Sequence, residues 1–224
     1  MNKFYQSEWH GIYFDEFSEP SKTKLPDSKL YDNFYEHFFK KFSNYDDLDK
    51  SWVDYKIDIA TYINSLIHNK SNILSIGSGI GIVEDFLTKT TKDIKVHAIE
   101  PSMNASRWLK KNNSISVYNG YFPDCLDKNL KFDLVYANNI DYIFNDNEYA
   151  AFLKSVVDYG IKDFLIITSA KYNIKIAIKS FLKNFIEYRQ LSKKQLWGYL
   201  RTIKDQKRIL NKTGFKNIKI TKFR

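Results

Sequence analysis

The amino-acid sequence predicts an α/β protein with a doubly wound, mostly parallel sheet, because apolar β-branched runs alternate with helix-compatible segments. The runs are predicted strands at residues 72–77, 95–100, 115–120, 132–138 and 164–170, and the helical segments lie at residues 82–89, 102–112 and 146–158. A glycine-rich stretch, ILSIGSGIGIVEDFL, joins the first predicted strand to a helix. Ligands of such sheets bind beyond the carboxyl ends of the strands, so this junction is a candidate binding site.

Helix-like spacing also marks the chain on both sides of the alternating region. Before the first strand, apolar residues recur at helical spacing over residues 30–42 and 52–67. After the fifth strand, the pattern predicts a helix over residues 173–190, then a loop and a helix that ends near Gly214. A last strand is predicted over residues 217–223.

Composition favours a globular protein of one domain, since 43% of the 224 residues are hydrophobic and 27% are charged. No stretch approaches the roughly 20 apolar residues of a membrane span, and the N-terminal residues lack the pattern of a signal peptide. We therefore expect a cytoplasmic protein.

Cys125 is the only cysteine, which excludes an intrachain disulfide. The net charge of +9 is spread along the chain, which favours a solvated basic surface over a nucleic-acid-binding arm.

The glycine junction has a backbone that another group can approach closely. Gly77, Gly79 and Gly81 lack side chains, so the chain can turn sharply there and contact a ligand. The dinucleotide-binding pattern requires a glycine at position 82, which is Ile82, and the Gly-Lys-Ser/Thr ending of a phosphate loop is absent. NAD and nucleoside triphosphates are therefore disfavoured. A turn that only solves a packing problem remains an alternative.

A carboxylate ends the next predicted strand. Glu100 follows Gly81 by 19 residues (100 − 81), and a carboxylate at this position can accept two hydrogen bonds from a ribose diol. Glu100 also precedes Pro101 and Ser102, which form a favourable helix start, so it can equally serve as an acid at a helix N-terminus. The two roles are compatible.

The motifs ILSIGSGIGIVEDFL, VHAIEPS, FDLVYANNIDYIF and KTGFKNIKI together resemble the class I S-adenosylmethionine-dependent methyltransferases. The resemblance covers residues of about 55–170 and the Gly-Phe turn near residue 214. It implies a seven-stranded, Rossmann-like methyltransferase fold, with S-adenosyl-L-methionine (SAM) as cofactor and S-adenosyl-L-homocysteine (SAH) as product. It also implies that the glycine loop passes under the methionine portion of SAM and that Glu100 holds the ribose.

The resemblance implies roles for further residues around the cofactor. The family often has an acid two places before the first glycine, where this chain has Ser75, so Glu84 either serves the SAM ammonium instead or caps its helix. Aromatic side chains after the third strand either sandwich the adenine or belong to the core. Asparagines after the fourth strand either lie beside the sulfonium methyl group or cap the turn. The expected cofactor-binding set is Gly77, Ser78, Gly79, Gly81, Glu84, Glu100, Pro101, Asn119, Tyr121, Phe122, Asn138 and Asn139.

The segments after the fourth and fifth strands narrow the predicted reaction. NNIDYIF lacks the prolines typical of enzymes that methylate base amines or amides, and TSA offers no carboxylate for a metal. We therefore expect metal-independent methylation of oxygen. His10 is the first candidate for a general base because histidine titrates near neutral pH, followed by His37, Asp141 and Tyr142.

Two aromatic segments, WHGIYF and LWGYLRT, are predicted to bind the acceptor. Arg201 either clamps a phosphate or carboxylate of the substrate or forms a surface ion pair. The expected substrate-binding set is Trp9, Tyr13, His37, Trp197, Tyr199 and Arg201.

The resemblance implies a methyltransferase domain over residues 51–224, an N-terminal cap or lid over residues 1–50, and a substrate-lid insertion over residues 171–202. The main hypothesis is an O-methyltransferase of a small polar or anionic acceptor, such as a sugar, a nucleotide-linked sugar or a phosphorylated precursor. An RNA methyltransferase and a non-catalytic cofactor-binding subunit are the alternatives. A homodimer is left open, and neither a membrane nor a nucleic-acid partner is expected.

Overall fold

Five parallel strands form the main sheet of the computed structural model, which describes residues 2–18, 26–67, 72–168 and 195–221. Along the chain, the strands are β1 (Asn2–Gln6), β2 (Glu8–Trp9), β3 (Ile12–Tyr13), β4 (Asn72–Ile76), β5 (Lys95–Ile99), β6 (Ile115–Tyr118), β7 (Leu134–Asn138), β8 (Phe164–Ile167) and β9 (Gln195–Leu200). The helices are α1 (Ser28–Lys41), α2 (Lys50–Asn64), α3 (Ile82–Thr90), α4 (Asp146–Asp158) and α5 (Ile203–Lys212).

The strand order in the main sheet is β6-β5-β4-β7-β8, and every neighbouring pair is parallel. This order confirms the predicted α/β fold with a parallel sheet, and its switch point lies between β4 and β7. The sheet has five strands in the described residues, whereas seven were expected. Residues 217–221 form no strand, and residues 222 and 223, like the predicted helix over 173–190, lie outside the described residues.

The segment 102–112, predicted as a helix, forms two short 3₁₀ turns, Ala105–Arg107 and Leu109–Lys111. The start of this segment is bound to α1. Oγ of Ser102 donates to Oδ1 of Asp32 at 2.6 Å, and the backbone N–H of Asn104 donates to the same oxygen at 3.2 Å. These contacts join residues that are far apart in the chain, so local sequence patterns do not reveal them.

Aspartate caps determine where α1 and α2 begin. Oδ1 of Asp27 accepts a hydrogen bond from the N–H of Leu30 at 2.8 Å, and Oδ1 of Asp49 accepts one from Trp52 at 3.0 Å. Each cap satisfies an N–H group that has no partner inside the helix. Both helices therefore begin two residues before their predicted starts, at Ser28 and Lys50.

An aromatic cluster joins the N-terminal residues to α1 and β9. Trp9 stacks on Phe34 and Phe14 stacks on Trp197, each pair with ring centroids 4.9 Å apart. Phe14 and Phe34 are fully buried, so the cluster is a core of its own above the main sheet. Strand β1 pairs antiparallel with β9, which brings the N-terminal residues and the last described strand into one ribbon.

Helix α1 lies over the glycine junction. The hydroxyl of Tyr35 on this helix lies 3.5 Å from the position of a Cβ atom added to Gly79, and the hydroxyl of Tyr45, a residue that follows the helix, donates to the carbonyl of Ile80 at 2.9 Å. Residues 2–18 and α1 thus pack together and against the loops that follow β4 and β5, while the N-terminal cap over residues 1–50 remains a prediction. None of the described helices is both long and apolar enough to cross a membrane.

Candidate active site

A cavity of about 880 Å³ lies at the carboxyl ends of β4, β5 and β7. The glycine turn after β4 lines it, together with Glu100 after β5 and with Asn138 and Asn139 at the end of β7. Helix α1 contributes Tyr31 and Tyr35 to the opposite wall. The cavity therefore occupies the crevice at the switch point of the sheet, and its volume is typical of a small-molecule site.

The three glycines after β4 all have left-handed backbone angles, with φ of 74° at Gly77, 59° at Gly79 and 82° at Gly81. A Cβ atom on Gly77 would lie 2.5 Å from Ile140, and one on Gly81 would lie 2.1 Å from Leu109. Packing alone therefore requires glycine at these two positions. A Cβ on Gly79 would meet only a tyrosine hydroxyl at 3.5 Å, so this glycine leaves its backbone open to the cavity.

Glu100 ties the glycine turn to the loop after β5. Its Oε2 accepts the N–H of Gly79 at 2.7 Å, and its Oε1 accepts the N–H of Ser102 at 2.9 Å. Burial raises the pKa of Glu100 to about 7, and the nearby Glu84 and Asp32 carboxylates add to the rise, while the two N–H donors oppose it. The carboxylate lines the cavity and is 7% exposed.

Glu84, on the first turn of α3, points its carboxylate at Ser75. Oγ of Ser75 donates to Oε1 of Glu84 at 2.5 Å, and the hydroxyl of Tyr136 donates to the same oxygen at 2.6 Å. The other oxygen, Oε2, is buried without a hydrogen-bond partner among the described residues. Burial raises the pKa of Glu84. Helix α3 thus places a carboxylate beside Ser75, the position where the resemblance leads one to expect an acid on the strand.

Lys56 on α2 lines the same cavity, and sequence reasoning missed it. Its Nζ lies 5.6 Å from the centroid of the Trp52 ring, and no described carboxylate forms an ion pair with it. Burial lowers the pKa of Lys56 to about 8, and the charge of Glu84 opposes the fall. The available signal was helical spacing, because Lys56 shares a face with Trp52 and the buried Ala60.

The end of β7 supplies two buried amide groups. Asn138 and Asn139 both line the cavity, and the Oδ1 atom of each is buried without a hydrogen-bond partner among the described residues. The N–H of Asn139 donates to the carbonyl of Ile167 at 2.8 Å, and its φ of 57° turns the chain away from the sheet. The asparagines therefore end the strand and also present polar atoms to the cavity.

The turn after β7 carries the next two candidate residues, Asp141 and Tyr142, and both line the cavity. Oδ2 of Asp141 accepts a hydrogen bond from Gln206 at 2.9 Å, and burial raises the pKa of Asp141 to about 6. The hydroxyls of Tyr142 and Tyr31 lie 2.8 Å apart, and burial raises the pKa of Tyr142 to about 12. Asp141 is thus mostly ionised at neutral pH, whereas Tyr142 is protonated.

Most of the remaining predicted residues also reach the cavity. Asn119 does not, since its Nδ2 donates to the carbonyl of Glu100 at 3.0 Å and to Oγ of Ser106 at 3.1 Å. Asn119 therefore binds the backbone at the end of β5 and does not face the cavity. The other predicted cofactor and acceptor residues that line the cavity are Ser78, Pro101, Tyr121, Phe122, Trp9 and Trp197.

Four predicted residues from the N-terminal segment, α1 and β9 do not line the cavity. The ring of His10 packs 4.6 Å from Trp52, its Nε2 is buried without a partner among the described residues, and burial lowers its pKa. Tyr13 is exposed. Nδ1 of His37 lies 3.0 Å from the carbonyl of Asn33 one helical turn away. The fourth residue, Tyr199, is buried on β9.

Arg201 is buried and holds the turn after β7 instead of lining the cavity. Its guanidinium donates to Asp146 at 3.0 Å, to the carbonyl of Asp141 at 2.7 Å and to the carbonyl of Phe144 at 2.6 Å. It also lies 4.5 Å from the centroid of the Tyr149 ring. The ion pair left open as an alternative is therefore present, but it is buried and not at the surface.

Among the described residues, no group of three or more histidine, cysteine or acidic side chains is arranged to hold a metal ion.

The raised pKa of Glu100 predicts a dependence of stability on pH. The ordinary value is 4.5 and the folded value is about 7, so the stabilising contribution is fully present below pH 4.5 and is lost as the pH rises towards 7. We expect the free energy of unfolding of the wild type, measured by urea denaturation, to fall across this range more steeply than that of Glu100→Gln. The exposed Glu36→Gln is the control, and equal slopes in all three proteins would contradict the expectation.

No protein-family model and no curated protein matches the chain. Several solved structures, however, match the chain in fold. Human N-acetylserotonin methyltransferase in complex with SAM matches with a TM-score of 0.56 and 15% identity, over 88% of this chain and 53% of that one. A protein of Nostoc punctiforme assigned as an O-methyltransferase matches with a TM-score of 0.62 and 11% identity, over 91% of this chain and 61% of that one.

A third structure, magnesium protoporphyrin IX methyltransferase of Synechocystis with bound SAH, matches with a TM-score of 0.53 and 12% identity, over 87% of this chain and 80% of that one. The chain thus spans only 53% and 61% of the lengths of the first two proteins. At such low identities the likeness concerns the fold. The strand order, the glycine turn and these matches together show that the chain has the fold of the class I SAM-dependent methyltransferases.

Proposed function

We propose that the protein is a SAM-dependent methyltransferase that acts on a small-molecule acceptor without a metal ion. The observation that carries the proposal is Glu100, whose buried carboxylate lies beside the glycine turn and lines a cavity of about 880 Å³. A carboxylate at this place suits the two hydroxyls of a ribose. Structures of the same fold with bound SAM or SAH support the same choice of cofactor.

Glu84 and Lys56 suit the amino-acid end of SAM, which carries one ammonium and one carboxylate group. Oε2 of Glu84 is buried at the cavity without a hydrogen-bond partner among the described residues, and an ammonium group would supply a donor. Ser75 and Tyr136 hold the other oxygen and so orient the carboxylate. Lys56 lines the same cavity and would pair with the carboxylate of the ligand.

The other lining residues would hold the remaining parts of the cofactor. The Oδ1 atoms of Asn138 and Asn139, which accept no hydrogen bond from the described part of the chain, lie at the end of β7, where the methyl group is expected. Pro101, Tyr121 and Phe122 flank the ends of β5 and β6 and suit the adenine ring. Asn119 would act on this region only through the backbone of Glu100 and the Ser106 side chain, as a positioning residue.

When bound, SAM would supply an electrophilic methyl group on a positively charged sulfur for transfer to the acceptor, with SAH as the product. The protein must align the acceptor and exclude water. Three tyrosines that line the cavity would help both to align the acceptor and to exclude water: Tyr31, Tyr35 and Tyr142. The tyrosine hydroxyl at position 142, with a pKa of about 12, stays protonated and can orient the acceptor as a hydrogen-bond donor.

Asp141 is the best-placed group to take the proton of an acceptor hydroxyl. It lines the cavity, and its pKa of about 6 leaves it ionised near neutral pH, where a general base is most effective. His10 was the first candidate from the sequence, but it does not line the cavity, because its ring packs behind the lining side chains Trp9 and Trp52. Oxygen as the methylated atom remains a prediction from the sequence.

Cofactor binding is the first test of the proposal. We expect calorimetry to detect binding of SAM and SAH by the wild type, and Glu100→Ala to weaken it by about 10- to 100-fold, because charge-assisted hydrogen bonds to the ribose are lost. Glu36→Ala, which removes an exposed carboxylate of α1, is the control. If the wild type binds neither compound, the proposed function is wrong. Binding without methyl transfer to any acceptor would favour a non-catalytic subunit.

The role of Lys56 can be separated from general damage to the site by a choice of ligand. We expect Lys56→Met to weaken SAH binding by about tenfold, because the carboxylate of SAH loses its cation. Methylthioadenosine lacks the amino-acid end, so its affinity should not change. The control is Lys50→Met, an exposed lysine on the same helix. Equal losses for both ligands would show that Lys56 acts on the site as a whole.

The proposed base predicts a dependence of turnover on pH. Asp141 must be ionised to accept a proton, so kcat should rise with pH through about 6 and then level off. Asp141→Asn should lower kcat about 100-fold or more and remove this rise, with little change in the affinity for SAH. An unchanged pH profile in the variant would exclude Asp141 as the base.

A further inference from the structure

Six aromatic side chains form one end of the cavity, which we call the aromatic chamber. Tyr142 stacks on Trp197 with centroids 6.1 Å apart, and Tyr31 meets the same tryptophan edge-on at 6.0 Å. Trp9 lies 5.8 Å from Trp197. The members of the chamber are Phe4, Trp9, Tyr31, Trp52, Tyr142 and Trp197, and all of them line the cavity.

The charged groups around the cavity are nearly all acidic in the part of the chain that the structure describes. The lining carboxylates are Asp27, Glu84, Glu100, Asp141 and Glu148, and the one lining cation is Lys56. The chain as a whole has a net charge of +9, so its many basic residues mostly lie elsewhere. A cleft lined by carboxylates has a negative potential, which attracts cations and repels anions.

The proposed cofactor accounts for only part of this charge. With Glu84, Glu100 and Lys56 assigned to SAM, every charged group left on the described cavity wall is a carboxylate, namely Asp27, Asp141 and Glu148. Arg201, the side chain expected to clamp an anion, does not line the cavity, and its guanidinium is bound to Asp146 and to the backbone carbonyls of Asp141 and Phe144. With Lys56 assigned to SAM, an anionic acceptor would have no further counter-ion among the described lining residues.

We propose that the acceptor is a positively charged amine with a planar apolar body, which the aromatic chamber binds. This inference rests on the proposed function and differs from the small polar or anionic acceptor expected from the sequence. The faces of Trp and Tyr rings attract cations and also stack on planar groups. The rim carboxylates of Asp27 and Glu148 add attraction over a longer range. The amine determines recognition, whereas the methylated atom is a separate property of the acceptor.

Three indole compounds of similar size and shape, which differ in charge, test this inference. Calorimetry on the SAH-saturated protein would compare tryptamine, a cation, with tryptophol, which is neutral, and indolepropionate, an anion. We expect tryptamine to bind about tenfold more tightly than tryptophol and indolepropionate to bind least. Equal binding of all three, tighter binding of the anion, or binding of none would overturn the inference.

A charge-removing variant separates attraction by the cavity from general attraction by the surface. Asp27→Asn with Glu148→Gln removes both rim carboxylates, and each new side chain can still serve in its helix cap. We expect the preference for tryptamine over tryptophol to fall several-fold. Asp49→Asn with Glu36→Gln makes the same charge change outside the cavity lining and should leave the preference unchanged. Equal effects of the two double variants would contradict a role for the cavity.

The order of the experiments keeps the two proposals apart. The SAH titration that saturates the protein comes first, and its failure would overturn the proposed function. Successful SAH binding without a preference for the amine would overturn only the inference about the acceptor.

Discussion

The site depends on one buried carboxylate, that of Glu100. It accepts the backbone N–H groups of Gly79 and Ser102, and so joins the turn after β4 to the loop after β5. Asp32 on α1 holds the second loop from its other side through Ser102. Losing either N–H donor would leave part of the Glu100 carboxylate without a hydrogen bond in a largely buried place. The two N–H donors also favour the ionised form of the carboxyl group. The geometry and the charge of the site are therefore properties of the same small network.

The N-terminal residues complete the cavity that the sheet begins. The stack of Trp9 on Phe34 and that of Phe14 on Trp197 hold residues 2–18, α1 and β9 together above the strand ends. Tyr31 extends from this cluster to Tyr142 at the end of β7. The cavity is thus apolar on one wall and carboxylate-lined on others, although the chain as a whole is basic. Net charge alone is therefore a poor guide to the ligand of this protein.

The outcome at individual residues shows how far sequence patterns reach. The sequence predicted that Glu100 lies beside the glycine turn, because the end of one strand and the start of the next loop are local patterns and adjacent parallel strands end at the same edge of the sheet. Its carboxylate accepts the N–H of Gly79. Lys56 was missed because only the tertiary packing of α2 brings it to the cavity. Arg201 and His10 were predicted to belong to the site from the residue types of their segments and from the chemistry of their side chains. In the structure, Arg201 binds the turn that follows β7 and His10 packs among aromatic rings.

The sequence by itself determined the alternating strands and helices, the helix starts within two residues, the glycine turn and the acid after β5, because each is encoded by neighbours in the chain. Only the tertiary structure decided which side chains from α1, α2 and β9 meet at the cavity, and that Glu84 places its carboxylate beside Ser75. The contacts of Asp32 with Ser102 and Asn104, at the start of the segment 102–112, are of the same kind. Contacts between distant segments leave no periodic pattern in either segment, so only the folded chain reveals them.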